Sequence, residues 1–330
     1  MSLPPVSIVI PTFNEEGFID QCLQSLLSGS YPAELLEILV VDGGSEDKTR
    51  DQILEIAKQH PSIRILENKK KIVPAAVNLG VAQAQHDIIL WLGAHAKYDH
   101  DYITNSVRCL TSNHCVGVGG VISPLGITDT GKAIARATMS RFGIGNAKYR
   151  LAKSKQVVET LFGGCWYKDT FLEVGGFDES WVRNQDFEFN YRLRKQGDLI
   201  LDPSIKCQYF CRNSLSGLTR QYFQYGFWRI QTMLRYPNSI MLRQLAPIGL
   251  VVVLFFSVIL LLFKSSTGLL VPVAYSLGIL AASILASSRE GGAKQFFLLL
   301  IIFPILHLAW GVGAIWGLIT RLFRSNLRNK

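Results

Sequence analysis

Residues 7–16, SIVIPTFNEE, and residues 36–47, LEILVVDGGSED, share one grammar. Each is a short apolar run, rich in β-branched residues, that stops at a proline or glycine turn carrying amide and acidic side chains. Such runs, too short for helices, read as buried strands, and the turn residues mark where each strand ends. Strands are expected at Val6–Ile10 and Leu36–Asp42, with helical patterns after them at Ile19–Leu27 and Lys48–Gln59.

Working outward, the alternation continues. Runs at Ile63–Glu67, Asp87–Leu92 and Cys115–Val121 are separated by helical patterns at Pro74–Ala84 and Tyr102–Leu110. Strand and helix in turn are the signature of βαβ units, so the first 120 residues are expected to form a parallel, Rossmann-like α/β sheet. Ligands in such sheets sit beyond the carboxyl ends of the strands. The polar stretches Pro11–Glu16, Asp42–Asp47, Asn68–Lys71 and Gly93–Asp101 all fall there. Farther on, a helix is expected at Phe187–Lys195, in what reads as the second half of the same domain.

The 330 residues are 48% hydrophobic with a mean hydropathy of +0.22, but that surplus is concentrated after residue 244. Leu245–Phe263, Gly268–Ala286 and Phe296–Ile319 each approach the roughly 20 residues that a membrane-spanning helix needs. His307 lies inside the third and suits either a functional site or a helix–helix hydrogen bond. Before them, Ser216–Arg243 mixes aromatics with arginines, as an amphipathic segment at headgroup level would. Expected boundaries are therefore an α/β domain at 1–211, an interfacial segment at 212–243 and a membrane region at 244–330.

The net charge of +9 does not call for nucleic acid, because the arginines from 212 to 243 and the Arg321, Arg324, Arg328 and Lys330 cluster flank the apolar segments. Attraction to anionic membrane lipid explains that placement. Six cysteines without a CxxC pair argue for structural thiols in a reducing compartment. The N-terminus has no signal-peptide pattern, so the α/β domain is expected in the cytosol, at the inner (plasma) membrane.

SIVIPTFNEE, VVDGGSEDKT (40–49) and VGGFDE…NQDFEFNYRLRKQG (174–179, 184–197) together resemble family 2 glycosyltransferases of the GT-A fold, in the branch that makes succinoglycan-type exopolysaccharides. The resemblance covers about residues 6–235. It implies a nucleotide-diphospho-sugar transferase domain followed by an α-helical membrane anchor. It also implies that Pro11, Thr12, Phe13, Asn14 and Glu15 cup the donor nucleoside and that Asp42 and Asn78 face it. Asn14 and Glu15 equally suit a helix cap, as does Asp47. Lys69–Lys71 suit either the diphosphate or a solvated loop.

Where the family places its acidic metal motif this chain has Gly93-Ala94-His95-Ala96, leaving His95 as the metal or phosphate candidate and Mg2+ or Mn2+ as the possible cofactor. By the same resemblance Asp186 is the general base, although it also suits a cap for the helix after it. Asp178, Gln185, Trp228 and Arg229 are assigned to the acceptor or diphosphate. The expected reaction is inverting transfer of a sugar from a nucleoside diphosphate donor to a polyprenyl-linked saccharide acceptor. A processive synthase and a silent nucleotide-sugar-binding subunit are the alternatives. The topology conflicts with itself: three crossings would carry the basic tail to the side opposite a cytosolic domain, against the positive-inside tendency. Of the three segments, Gly268–Ala286 reads as the weakest span.

Overall fold

The computed structural model describes residues 3–288 and 292–328, without the side chains of 324–328. The basic-tail residue Lys330 and the side chains of Arg324 and Arg328 lie outside the described residues. The chain divides into two compact units: Met1–Ser123 with Lys148–Tyr209, and Pro124–Ala147 with Phe210–Lys330.

The first unit is built on one mixed sheet. Strands β1 (Val6–Thr12), β2 (Leu36–Asp42), β3 (Ile63–Glu67) and β4 (Ile88–Trp91) are mutually parallel, with β1 between β2 and β4. Helices α1 (Ile19–Leu27), α2 (Thr49–Gln59) and α3 (Val73–Gln83) connect them. Both faces of these strands are covered, which is why their residues are apolar throughout rather than alternating. Ile8, Ile10, Ile38 and Val40 face one core with α1 and α2, while Val9, Leu39 and Val41 face a second core with α3. Glu37, the charged interruption in β2, is buried and satisfied by Ser7 Oγ at 2.6 Å, the Gln85 amide at 2.8 Å and Arg64 at 2.6 Å.

Beyond β4 the sheet departs from the expected parallel order. After the short β5 (Ala96–Tyr98) and α4 (Tyr102–Ser112), β6 (Gly117–Leu125) does not pair with β4. Between them lies β8 (Gly164–Tyr167), antiparallel to both, and the order is β3-β2-β1-β4-β8-β6-β9-β5. β7 (Gln156–Val158) pairs with β9 (Leu199–Phe210), and α7 (Lys148–Leu151) and α8 (Lys168–Glu173) fill the connections. α9 runs from Gln185 to Leu193, earlier than expected, so Asp186 sits inside its first turn and Asn184, left-handed at φ 60°, is the cap residue. Phe189 of α9 stacks on Phe177 at 4.6 Å and packs against Trp166 and Phe171, fixing the helix on the sheet.

The second unit is helical. It contains α5 (Asp129–Thr138) and α6 (Arg141–Ile144), drawn from the middle of the sequence, then α10 (Leu215–Arg235), α11 (Leu242–Leu262) and α12 (Leu270–Ser287). The last apolar segment is continuous from α13 (Gly292–Pro304) through a π turn at Ile305–Ala309 into α14 (Trp310–Arg328). Among the described residues three helices, Leu242–Leu262, Ser266–Ser287 and Gly292–Phe323, are long and apolar enough to cross a membrane. His307 forms the helix–helix bond: it accepts from Tyr275 at 2.9 Å and donates to the Phe142 carbonyl at 2.8 Å, from inside the π turn.

Candidate active site

The loop after β1 and the loop after β2 are stitched together residue by residue. The Asn14 amide donates to Ser45 Oγ (2.9 Å), and Asn14 Oδ1 accepts from the Glu46 amide (2.9 Å). The Glu15 amide donates to Thr49 Oγ1 (2.7 Å) and the Glu16 amide to Asp47 Oδ2 (3.2 Å). Asn14 adopts the left-handed backbone at φ 52° that this reciprocal bonding requires. Asn14 thus holds the neighbouring loop, and α1 begins at a Phe18 cap with no side-chain bond. Asp47 does serve the start of α2, accepting from the Thr49 amide at 3.0 Å. Slight burial of its carboxyl works upward, but the bonds from Thr49 and Glu16 outweigh it and leave the carboxyl below its ordinary range.

Asp42 closes β2 and is fully buried. Its carboxylate accepts from Ser45 Oγ at 2.6 Å and lies 3.7 Å from Arg50. Asp42 therefore sets the turn, and the groups open above it are Phe13, 46% exposed, and the half-exposed Arg50. Thr12 is buried against Ile10, and Pro11 is half-buried. Lys71 reaches the same place from the loop after β3, with its ammonium 5.9 Å from the Phe13 ring. Sequence reading missed Ser45, Thr49 and Arg50; their only signal was the run of polar residues after a strand.

The loop after β4 is anchored by its backbone. The Gly93 amide donates to Tyr98 Oη at 2.8 Å and Tyr98 returns a bond to the Gly93 carbonyl at 2.9 Å. Burial holds the Tyr98 phenol well above its ordinary pKa, so it stays neutral there. A Cβ on Gly93 would meet nothing within 4 Å, and its backbone lies outside the left-handed region. Two residues on, His95 donates from Nδ1 to Glu15 Oε1 at 3.0 Å and packs edge-on to Tyr209 at 4.9 Å. Glu15, expected at the donor nucleoside, is thus joined to the candidate metal residue. Among the described residues no three His, Cys, Asp or Glu side chains converge on a point where an ion would sit. What these loops offer a Mg2+ or Mn2+ ion is one imidazole held by a carboxylate.

Tyr209 leads on to Phe162, 5.7 Å away, in the chain before β8. There Asn190 of α9 donates to Thr160 Oγ1 and the Leu161 carbonyl, at 3.1 and 3.0 Å. Asp186, one turn earlier, is half-buried and accepts from the Phe187 amide at 2.8 Å, while Gln185 beside it is also half-buried. Glu188 is buried and grips Arg192 through two bonds of 2.8 Å; Arg192 also donates to the Gly176 carbonyl at 2.7 Å. Asn78 binds the Phe177 backbone at both ends, Oδ1 accepting from its amide (2.8 Å) and Nδ2 donating to its carbonyl (2.9 Å). That is a positioning role for the turn containing Asp178, whose Oδ1 takes the Ser180 hydroxyl at 2.6 Å. Trp228 and Arg229 lie in the second unit, where buried Arg229 donates to the Ser239 carbonyl (2.6 Å) and Gln244 Oε1 (2.8 Å).

A family profile, Glycosyl transferase family 2, matches residues 7–173. The succinoglycan biosynthesis protein ExoA of Rhizobium meliloti is 30% identical over 93% of this chain and 92% of its own. A dolichyl N-acetyl-α-D-glucosaminyl phosphate 3-β-D-2,3-diacetamido-2,3-dideoxy-β-D-glucuronosyltransferase of Methanococcus voltae is 34% identical over 67% of this chain and 71% of its own. Among solved structures, a Pyrobaculum calidifontis mannosyltransferase in complex with GDP-Man and Mn2+ has a similar fold, with a TM-score of 0.61 and 18% identity over 96% of this chain and 88% of that one. With a family profile over half of its length and a relative 30% identical that matches it nearly end to end, this chain is a glycosyltransferase and belongs to glycosyl transferase family 2.

Proposed function

We propose that the enzyme transfers a sugar, with inversion, from a nucleoside diphosphate donor to a hydroxyl of a lipid-linked saccharide, for an exopolysaccharide or another cell-surface glycan. The catalytic face would be cytosolic, at the inner (plasma) membrane. The observation that carries the reading is the gathering of the loops after β1, β2, β3 and β4, with Phe13 and Arg50 open, Lys71 beside the Phe13 ring, and Glu15 paired with His95. Phe13 offers the base a flat surface, Asn14 and Asp42 keep the loop in shape, and the cations oppose the diphosphate. Mg2+ or Mn2+ would be the diphosphate's own companion ion, with His95 as the chain's single contribution to it. The glucuronosyltransferase relative is named for a dolichyl-phosphate-linked substrate and the succinoglycan protein for a polysaccharide, which supports a lipid-linked acceptor here.

Direct displacement needs a base on the acceptor hydroxyl, and Asp186 takes that role. It lies in the first turn of α9, where its carboxyl accepts from the Phe187 amide at 2.8 Å. Gln185 and Asp178 would bound the acceptor, whereas we read Arg229 as a pin between α10 and the start of α11. Asp186→Asn keeps the shape and removes the proton acceptor. Turnover should fall about 10²–10⁴-fold while donor nucleotide binding, followed by calorimetry, is retained. A variant with turnover near that of the parent would remove Asp186 from the mechanism.

A further inference from the structure

Residues 160–164 form a short bridge that meets the end of β4 at one end and α9 at the other. At the β4 end Gly164 pairs with Trp91 in the antiparallel ladder. Gly163 beside it is left-handed at φ 65°, and a Cβ there would stand 2.9 Å from the Trp91 carbonyl oxygen, so the approach is one that only glycine allows. The chain after Trp91 leads directly to Gly93 and His95. At the other end Asn190 donates from Nδ2 to Thr160 Oγ1 at 3.1 Å and to the Leu161 carbonyl at 3.0 Å. Asn190 follows Asp186 by one helical turn, so the two stand on the same face of α9. In the middle of the bridge Phe162 meets Tyr209 edge-on at 5.7 Å, and Tyr209 meets His95 edge-on at 4.9 Å.

Asn190 is an expensive way to hold a helix. It is 2% exposed, and its Oδ1 is buried without a hydrogen-bond partner among the described residues. The Leu161 carbonyl can only accept, so the amide cannot turn over to satisfy Oδ1 without losing that bond. An unpaired buried acceptor costs about as much as hydrogen bonds return. Nor does α9 depend on Asn190 for its place. Phe189 and Leu193 sink into the apolar core beside Trp166 and Phe171, and Arg192, gripped by Glu188, donates to the Val174 and Gly176 carbonyls. What the Asn190 bond does supply is direction. It fixes the plane of the peptide that joins Leu161 to Phe162, and with it the stance of the Phe162 ring relative to α9.

We propose that Asn190 is a positioning residue, which sets the spacing between the Asp186 carboxylate and the strip Phe162, Tyr209 and His95, so that proton acceptor and donor side meet the acceptor hydroxyl in register. The proposal rests on Asp186 being the base. Without the Asn190 link the hydroxyl loses a well-placed proton acceptor, while the loops after β1 and β2 that serve the donor are untouched and water can still attack it. The test uses the purified full chain with radiolabelled UDP-glucose, UDP-N-acetylglucosamine and GDP-mannose, and total membrane lipid as the acceptor source. Label in lipid reports transfer, and free sugar without added lipid reports donor hydrolysis. Asn190→Ala should lower the kcat of transfer about 10²-fold, as a misplaced group does, with donor KM and hydrolysis as in the parent. Thr160→Val attacks the same contact while leaving α9 intact; it should shift transfer the same way, and the double variant should be no worse than Asn190→Ala. Undiminished transfer in both single variants overturns the proposal, and so does hydrolysis that falls in step with transfer, the mark of a merely structural role. If Asp186→Asn is inactive in transfer and Asn190→Ala is not, this proposal alone fails; if Asp186→Asn transfers like the parent, the base assignment fails and takes this proposal with it.

Discussion

A histidine whose Nδ1–H is held by a carboxylate presents its Nε2 in one orientation only, the arrangement found behind metal-bound imidazoles. Glu15 does this for His95 from 80 positions away in the chain. The missing carboxylate at Gly93 is plain in the sequence, but the pairing is not, because only the adjacency of β1 and β4 in the sheet brings the two residues together. Both ends of the arrangement can be tested in one titration of Mn2+ against donor turnover. Gly93→Asp adds an oxygen ligand where a Cβ meets nothing and no backbone strain is released, so it should fold and move the midpoint to lower Mn2+. Glu15→Gln should move it to higher Mn2+ or lower activity, by about 10–100-fold. Gly93→Ala should resemble the parent. Equal midpoints in all four proteins would place the ion away from this loop.

Elements around the site are held less by their own propensities than by side chains reaching across from neighbours. Asn78 clamps the Phe177 backbone, and Lys70 binds Glu179 two residues on at 2.5 Å. The bond from Lys70 holds the Glu179 carboxyl below its ordinary value of 4.5. A carboxyl depressed in the folded state contributes stability that is complete above the unfolded pKa and lost as pH falls through the folded one. Acidification from pH 7 should therefore leave this turn unchanged until below about 4.5, then loosen it. Lys70→Ala should abolish that late step in amide exchange of residues 177–179, and an unchanged exchange profile would sink the assignment. β1 to β4 and α1 to α3 were legible because doubly covered strands and amphipathic helices leave a periodic record in the sequence. β5 and β8 were not: Ala96–Tyr98 and Gly164–Tyr167 are three and four residues long, and pairing with distant strands decides them. The antiparallel β8 in turn displaced β6 from its expected parallel neighbour.

At the scale of the molecule, a linear reading places a catalytic domain up to residue 211, yet residues 124–147 pack with the chain that follows Tyr209. A chain cut after Cys211 would keep α5 and α6 but lose Lys294, Phe303 and His307, the residues they rest on. Limited trypsin digestion should nick that shortened chain at Lys132, Arg136 or Arg141 while the same bonds in the full chain resist. Equal rates in both would mean that α5 and α6 hold without those helices. The split also imposes an order in time. When residues 124–147 leave the ribosome their partners do not yet exist, and they must wait for about 160 more residues, roughly ten to thirty seconds at ordinary elongation rates. In that interval the half-built strip, with Phe142 exposed, is a natural client for a chaperone or for the insertion machinery that handles α11 and α12. Synonymous changes that slow translation between residues 210 and 290 should then lengthen the wait and lower the yield of folded enzyme without altering one side chain.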